Sequence, residues 1–310
     1  MNRLTGLIAA TYTPFDAAGS LCLSRVGPMV EQLLAQGVDG LFVCGSTGEG
    51  MSLSTAERKE LAAEFAAANA GRSPLIVHVG HNSVADAAEL ARHAASCGAV
   101  AVSATCPSYY PIRSVDVLVD CMAQVAAGAP ETPFYYYHIP VLTGVDLPML
   151  EFLAKAAARI PNLVGVKFTK AAVHEYQACV ALDDGRFDVL WGYDEMLLSA
   201  LAVGAQGSVG STYNIAAPLY QQMWTAFRAG DLARARQLQL RSVQMIQIVA
   251  QYPFHPAMKH ILRWQGLDCG AARLPLEPLQ PAQVESLKAQ LEAGGFAELT
   301  RPPTSVAAAN

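Results

Sequence analysis

One lysine lies inside an apolar strand pattern, and it is the residue best suited to covalent chemistry. The sequence has six lysines, and only Lys167 falls within such a pattern, Leu163–Phe168. A strand buried on both faces surrounds its side chains with apolar groups, which favours a neutral amine over an ammonium ion. A neutral amine can attack a ketone and form an imine. Two structural roles stay open at this position: pairing with a buried carboxylate, or an ammonium that reaches water at the strand end.

Three consecutive tyrosines mark the preceding strand pattern, Phe134–Ile139. Side chains alternate between the two faces of a strand, so Tyr136 points away from Tyr135 and Tyr137. The three rings therefore cannot all pack in one core. A tyrosine beside an imine-forming lysine can transfer protons as a general acid or base, and Tyr137 is the candidate. A tyrosine at the strand end that bonds a backbone carbonyl is the alternative.

Two polar segments at other strand ends are candidates for substrate binding. In Gly45–Glu49, glycines flank Ser46 and Thr47, so backbone N–H groups and hydroxyls can converge on an anion such as a carboxylate. An ordinary turn explains this segment equally well, and the GxxxxGK[ST] pattern of a nucleotide loop is absent. Asp194 and Glu195 begin a helical pattern, where acids stabilise the helix N-terminus.

The histidines do not indicate a metal site. The seven histidines include no HxxxH or HxH pair, and the nearest candidates, His78 and His81, lie on either side of a strand end. Such a pair is a poor start for the three or four ligands that zinc requires. The sequence therefore predicts no metal.

Short β-branched or aromatic runs alternate with amphipathic, alanine-rich stretches along the chain. Eight such alternations predict parallel strands joined by right-handed crossovers, and their even spacing favours a closed (β/α)8 TIM barrel, an α/β fold, over an open sheet. Catalytic residues are then expected where the strands end. The predicted strands are Leu7–Thr13, Gly40–Cys44, Leu75–Val79, Ala99–Ala104, Phe134–Ile139, Leu163–Phe168, Asp188–Trp191 and Gly207–Gly210.

The helical patterns predict both the outer layer of the barrel and extra helices after it. Four of them begin with a serine that can cap the helix: Ser24–Gln36, Ser54–Ala70, Ser83–Cys97 and Ser114–Ala127. After the eighth unit, Leu232–Ala250, His255–Trp264 and Gln280–Leu291 predict additional C-terminal helices. No linker-like composition separates them, so we expect a single domain over residues 1–300, with residues 230–300 packed on the barrel and a flexible tail at 301–310.

Composition restricts the partners and the compartment. Of the 310 residues, 52% are hydrophobic and the net charge is −5, which argues against nucleic acid or anionic membranes as partners but allows a small anionic substrate. The seven scattered cysteines form no CxxC pair, which favours buried reduced thiols in a cytoplasmic protein. The first fifteen residues predict no signal peptide, and no apolar run reaches membrane-spanning length.

Together these motifs resemble the pyruvate-dependent aldolase family that includes dihydrodipicolinate synthase and N-acetylneuraminate lyase. The resemblance covers about residues 5–295 and rests on several separated motifs in the same order. It implies a homotetramer of (β/α)8 barrels that works through a lysine imine, with no metal and no organic cofactor.

The resemblance implies specific roles for residues of this sequence. Lys167 would form the imine and Tyr137 would transfer the proton, while Ser46 and Thr47 would hold the carboxylate of pyruvate. Tyr109 resembles the family tyrosine that enters a neighbouring subunit's site and forms a proton relay with Thr47 and Tyr137. Tyr110 fits this role as well, because the segment 107–111 aligns less cleanly.

The branch of the family follows from other positions. Synthases carry an arginine for a second carboxylate where this chain has Leu142, and an isobutyl group cannot replace a bidentate clamp. The resemblance to sialic acid lyases instead implies hydroxyl-binding roles for a further set of residues: Thr169, Gly192, Asp194, Glu195 and Ser211. The expected reaction is cleavage of sialic acid to pyruvate and N-acetylmannosamine. Another 2-keto sugar acid, such as 2-keto-3-deoxygluconate, and a non-catalytic keto-acid sensor are the alternatives.

Overall fold

The structure is a computed structural model that describes residues 3–301. Most of the segment 301–310, for which the sequence predicts a flexible tail, lies outside the described residues. Secondary structure begins with a strand at Gly6 and ends with a short helix at Leu299.

Eight parallel strands close into a barrel in chain order, which confirms the predicted (β/α)8 fold. Closure occurs between β1 and β8, where Leu7 pairs with Ser208 and Ala9 with Gly210. Neighbouring strands are consecutive in sequence because each crossover is a right-handed β–α–β unit. The strands are β1 Gly6–Ala10, β2 Gly40–Val43, β3 Leu75–His78, β4 Ala101–Ala104, β5 Phe134–His138, β6 Leu163–Phe168, β7 Asp188–Trp191 and β8 Gly207–Gly210.

Alternation along each strand divides the buried residues into two clusters. The smaller cluster contains Tyr135, Tyr137 and Phe42 and fills the inside of the barrel. The larger cluster contains Tyr136 and lies between the strands and the helices, where the Tyr136 ring packs 4.7 Å from that of Phe152. The predicted separation of the three tyrosines is therefore confirmed.

Helices surround the barrel and follow most strands. Ser54, Ser83 and Ser114 accept a backbone N–H at the start of their helices, as predicted. Ser24 does not: it lies within a 3-10 turn, Leu23–Arg25, and Arg25 occupies the cap position of the next helix without a side-chain cap. The barrel helices are α1 Val26–Ala35, α2 Thr55–Asn69, α3 Val84–Ser96, α4 Val115–Ala126, α5 Pro140–Thr143, α6 Met149–Ala157, α7 Val173–Gly185, α8 Leu197–Ala202 and α9 Tyr213–Arg228.

Further helices pack against the barrel after β8. Leu238, Met245 and Leu287 of these helices belong to the same buried cluster as the outer faces of the strands. A shared core of this kind supports our proposal that residues 1–300 form one domain. The C-terminal helices are α10 Leu232–Val249, α11 Phe254–Trp264, α12 Pro281–Ala293 and α13 Phe296–Leu299.

All seven cysteines are free, and Cys44, Cys106, Cys179 and Cys269 are buried. Within residues 3–301, no helix has the length and apolar character needed to cross a membrane.

A buried ion pair links the C-terminal helices to the loop after β2. Lys259 of α11 lies 2.6 Å from Glu49, and both side chains are almost fully buried. The other carboxylate oxygen of Glu49 accepts the backbone N–H of Arg273 at 2.7 Å. Glu49 therefore fixes the end of the Gly45–Glu49 segment to α11 and the chain that follows it.

Replacing Lys259 with methionine is expected to lower the free energy of unfolding by about 3–5 kcal/mol, because the buried Glu49 carboxylate loses its counterion. The midpoint of urea unfolding, followed by circular dichroism, measures the change. Lys155→Ala is the control: Lys155 pairs with Asp116 on the surface at 41% exposure, so we expect a loss below about 1 kcal/mol. Equal midpoints for the two variants would contradict a stabilising role for the buried pair.

Candidate active site

Lys167 lies inside the barrel, where two aromatic rings enclose its amine. The residue is 4% exposed, and its Nζ lies 3.9 Å from the ring centroid of Tyr137 and 4.2 Å from that of Phe42. Within residues 3–301, no carboxylate lies within 4.0 Å of the amine. Both structural roles left open by the sequence are therefore wrong, because Lys167 is neither paired with an acid nor exposed at the barrel rim.

Tyr137 lies beside Lys167 because the register of β5 and β6 pairs the two residues directly. Its ring is 3% exposed and stands perpendicular to the His78 ring, with centroids 5.7 Å apart. In the described part of the chain, its hydroxyl makes no hydrogen bond. The alternative of a backbone-bonded tyrosine at the strand end therefore does not hold, and the hydroxyl is available to a substrate.

The loop after β2 presents free backbone donors beside the lysine. Cys44 takes a left-handed conformation with φ of 62°, which turns the chain sharply out of the strand. The N–H groups of Ser46 and Thr47 donate to no other residue of the described chain. The Thr47 hydroxyl lies 2.6 Å from the Ser211 hydroxyl, so the loops after β2 and β8 meet at this point. Unpaired donors next to hydroxyls suit a bound carboxylate.

A glycine is required where this loop returns towards its start. A Cβ on Gly50 would lie 1.9 Å from the carbonyl oxygen of Cys44, closer than any side chain allows. Gly50 therefore lets the chain fold back beside Cys44, and this keeps Ser46 and Thr47 at the barrel mouth.

Asp194 is buried at the end of β7 and interacts with the loop after β8. Its Oδ2 accepts hydrogen bonds from the backbone N–H of Thr212 at 2.8 Å and from the Thr212 hydroxyl at 2.5 Å. The pKa of Asp194 is raised to about 7, chiefly by burial and to a smaller extent by Glu195, against the lowering effect of Thr212 and Lys167. The Asp194 carboxylate makes no capping hydrogen bond at its own short helix, Asp194–Met196. The charge of Lys167 acts on Asp194, which places the two groups in one site.

The other residues expected to bind hydroxyl groups lie around the same opening. Thr169 follows Lys167 by two residues, and its buried hydroxyl has no hydrogen-bond partner within residues 3–301. Gly192 packs against it, since a Cβ there would lie 1.9 Å from the Thr169 hydroxyl oxygen. Glu195 is half-buried at the mouth.

Tyr109 and Tyr110 are the predicted site residues that the single chain does not bring to Lys167. They are 78% and 80% exposed, and their rings contact each other with centroids 5.1 Å apart. Asn82 holds their loop by accepting the N–H groups of Ser108 and Tyr109 at 2.9 and 3.1 Å.

The sequence did not reveal the importance of His78, which lies inside the barrel below Tyr137. Its Nε2 accepts the backbone N–H of Thr105 at 3.2 Å and its Nδ1 lies 3.1 Å from the Cys44 carbonyl, so Nδ1 carries the proton. Burial and the positive charges of Arg58 and Lys167 lower its pKa well below the usual value, so His78 is neutral. The sequence signal that could have placed His78 is period-two alternation: His78 lies two residues after Ile76 on β3 and therefore shares its face of the strand. Within residues 3–301, no cluster of three or more His, Cys, Asp or Glu side chains could hold a metal ion.

The chain is similar to known proteins over most of its length. The N-acetylneuraminate lyase A of Xenopus laevis is 44% identical over 279 residues, which cover 89% of this chain and 91% of the relative. The structure of N-acetylneuraminate lyase (sialic acid aldolase) from Aliivibrio salmonicida is 40% identical, with a TM-score of 0.93 over 96% of this chain and 98% of that chain. A catalytic lysine mutant of Ruminococcus gnavus sialic acid aldolase is 28% identical, with a TM-score of 0.90 over 95% of this chain and 97% of that chain.

A family model covers nearly the whole chain. The model of the dihydrodipicolinate synthetase family matches residues 3–294, which include every candidate site residue named above. The chain therefore belongs to the dihydrodipicolinate synthetase family.

Proposed function

We propose that the chain is a class I aldolase that cleaves N-acetylneuraminate to N-acetylmannosamine and pyruvate. The observation that carries this proposal is the amine of Lys167, which is buried between Tyr137 and Phe42 with no acidic partner among residues 3–301. The lyase names of the relatives that cover most of the chain support the choice of substrate.

The lysine supplies the electron sink for carbon–carbon cleavage. The Lys167 amine attacks the C2 ketone of the open-chain sugar acid, and loss of water leaves a protonated imine. When the C3–C4 bond breaks, its electrons enter this imine and give an enamine, which avoids a free carbanion at C3. Ser46 and Thr47 hold the adjacent carboxylate through their free N–H groups and the Thr47 hydroxyl, and this fixes the orientation of C2.

Tyr137 relays the proton of the C4 hydroxyl as the bond breaks: its phenol oxygen accepts that proton and gives its own proton to the substrate carboxylate. Its ring lies against the Lys167 amine, so a C4 hydroxyl two carbons from the imine comes within reach of the phenol oxygen. The C4 oxygen becomes the aldehyde of N-acetylmannosamine, and the enamine is protonated and hydrolysed to release pyruvate.

The sugar hydroxyls face the polar wall formed after β6, β7 and β8. Asp194 and Glu195 offer carboxylate acceptors, while Thr169 and Ser211 offer hydroxyls. Leu142 lies on α5 at 63% exposure, where a second carboxylate would need a cation. This wall therefore suits a polyol better than an amino-dicarboxylate.

Trapping and turnover test this proposal separately. Borohydride reduction in the presence of pyruvate is expected to add a three-carbon unit to Lys167, located by peptide mass spectrometry. A coupled pyruvate assay is expected to favour sialic acid over 2-keto-3-deoxygluconate. Absence of the adduct would overturn the aldolase proposal, and preference for 2-keto-3-deoxygluconate would overturn the substrate. An adduct without turnover of either compound would favour the keto-acid sensor.

The KM for N-acetylmannosamine in the synthetic direction is expected to rise as the pH falls below about 7. The pKa of Asp194 lies near 7, so the carboxylate is ionised above that pH and accepts sugar hydroxyls, whereas the protonated acid loses acceptor capacity. Asp194→Asn is the control and should have a high KM without this pH dependence. A wild-type KM that stays constant between pH 6 and pH 8 would contradict the assigned role of Asp194.

We further propose a homotetramer in the cytoplasm, with no metal or organic cofactor. The exposed rings of Tyr109 and Tyr110 suit burial against a second copy of the chain, where one of them would complete the proton relay with Thr47 and Tyr137. Seven free cysteines are consistent with a reducing compartment. The family resemblance supports the homotetramer and the absence of a metal or organic cofactor.

A further inference from the structure

Helix α10 lies outside the barrel, yet it supports the segment that carries Asp194. The Gln239 side chain accepts the N–H of Leu198 at 2.8 Å and donates to the carbonyl oxygen of Asp194 at 3.3 Å. Ser242 is three residues further along, on the same face of the helix, and is fully buried. This face of α10 therefore points towards the wall of the site.

A chain of hydroxyl groups connects Ser242 to the Asp194 carboxylate. The Ser242 hydroxyl lies 2.9 Å from the Tyr220 hydroxyl, which lies 2.6 Å from the hydroxyl of Thr212. Thr212 in turn contacts Oδ2 of Asp194 through its hydroxyl at 2.5 Å and its N–H at 2.8 Å. All four side chains are buried, with exposures between 0% and 6%. A satisfied buried network of this kind fixes the orientation of its members.

The second carboxylate oxygen of Asp194, Oδ1, packs closely against β8. Oδ1 lies over Gly210, where a Cβ would come within 2.2 Å of it. One carboxylate oxygen is thus held by Thr212, and the other is confined beside β8. Asp194 therefore meets an incoming hydroxyl with a fixed geometry.

We propose that Thr212, Tyr220 and Ser242 are positioning residues for the sugar part of the substrate, which they control by holding Asp194. This proposal rests on the proposed function. Within residues 3–301 none of the three hydrogen-bonds Lys167 or the N–H groups of Ser46 and Thr47, so we expect their effect to fall on the sugar. The C-terminal helices then have a direct part in substrate selection.

The chain of hydroxyls suits both protonation states of Asp194. When the carboxylate is ionised, Ser242 donates to Tyr220, Tyr220 to Thr212, and Thr212 to Asp194. When Oδ2 carries a proton, each of these hydrogen bonds reverses, because every hydroxyl both donates and accepts. The other titratable groups that act on Asp194 or respond to it are Glu195, Lys167, Tyr12 and Tyr213. None of these four belongs to the hydroxyl chain.

Three substitutions along the chain test the proposal, with KM values for N-acetylmannosamine and pyruvate measured separately in the synthetic direction. Thr212→Val removes a donor to a charged acceptor and should raise the KM for N-acetylmannosamine about ten-fold or more. Thr212→Ser keeps the hydroxyl and should restore the KM for N-acetylmannosamine to the wild-type value. Tyr220→Phe acts one step further away and should raise this KM a few-fold. The KM for pyruvate and the borohydride adduct at Lys167 should stay within about two-fold of wild type throughout.

Tyr213→Phe is the matched control. Tyr213 is also fully buried, and its ring lies 4.7 Å from that of Tyr220, but its hydroxyl contacts Ser208 at 2.7 Å instead of the Asp194 chain. Its loss should leave the KM for N-acetylmannosamine unchanged. The pH at which this KM rises should shift upwards in Thr212→Val, since the ionised carboxylate has lost a donor, and should not shift in Tyr213→Phe.

Three results would overturn the proposal: an unchanged KM for N-acetylmannosamine in Thr212→Val, equal increases for both substrates, or Thr212→Ser behaving as Thr212→Val. An error in the proposed function would instead be revealed by the wild-type protein. A wild-type protein that forms the pyruvate adduct but does not condense it with N-acetylmannosamine would refute the proposed substrate. It would also refute a role of the hydroxyl chain in binding that sugar.

Discussion

Replacing Lys167 with alanine is expected to lower kcat by on the order of 10⁴-fold or more and to abolish the borohydride adduct with pyruvate. Without the amine no imine forms, so the electrons of the C3–C4 bond have no acceptor, and loss of a covalent nucleophile has effects of this size in other enzymes. The coupled pyruvate assay and peptide mass spectrometry measure the two results. The fold should persist, because the substitution removes a buried amine that has no acidic partner in the described structure.

Lys155→Ala is the matched control for this experiment. Lys155 is 41% exposed and pairs with Asp116 of α4 and Glu151 of α6 on the surface. Its loss should therefore leave both activity and adduct formation intact. An adduct that persists in Lys167→Ala would show that another lysine is the nucleophile. Lys170 and the buried Lys259 would then be the candidates, although acids pair with both of them.

The strand order of the barrel could be predicted from the sequence because eight short strand patterns alternate evenly with helical patterns, which favours pairing of consecutive parallel strands. The bounds of β6, β7 and β8 agree with the prediction to the residue. β1 was predicted to continue to Thr13 but ends at Ala10, although Thr11 still donates to the Phe42 carbonyl. β-branched and aromatic residues continue beyond the point where the chain leaves the sheet, so composition alone does not mark the end of this strand.

The contact between Lys167 and Tyr137 was accessible to sequence reasoning because both residues lie on neighbouring strands. Period-two alternation and consecutive strand order together place them on the same face. The contact between Thr47 and Ser211 joins residues 164 positions apart. Serine and threonine are common in turns, so the residue types do not predict this contact. It forms because closure of the barrel brings the two loops together.

Buried polar residues that act through others were the hardest to predict. Thr212 directly follows Ser211, to which the family resemblance assigns a role, yet nothing in its spacing shows that it bonds Asp194, 18 residues earlier. For His78 the sequence raised only the role of a metal ligand, because a histidine near a strand end has several possible roles. The structure decides among them, because the Thr105 N–H donates to Nε2 while Nδ1 donates to the Cys44 carbonyl.

Replacing Tyr137 with phenylalanine is expected to lower kcat for sialic acid cleavage by about 10²–10⁴-fold, the usual contribution of a positioned general acid or base. The phenylalanine ring keeps the contact with the Lys167 amine and with Phe42, so the barrel interior should be preserved. The adduct with pyruvate should still form, because the amine remains. The loss should therefore fall mainly on kcat, whereas the KM for pyruvate in the synthetic direction should change little.

Tyr136→Phe supplies a control that differs only in the face of the strand. Tyr136 precedes Tyr137 directly and is fully buried against Phe152 in the outer layer, so the variant removes the same hydroxyl from a ring that cannot reach the substrate. A ten-fold or smaller loss of kcat in Tyr137→Phe would contradict proton transfer by this residue. Loss of the pyruvate adduct in Tyr137→Phe but not in Tyr136→Phe would instead show that the phenol is needed for imine formation itself. Comparing trapping and turnover in the two variants therefore separates the role of Tyr137 in making the imine from its role in breaking the carbon–carbon bond.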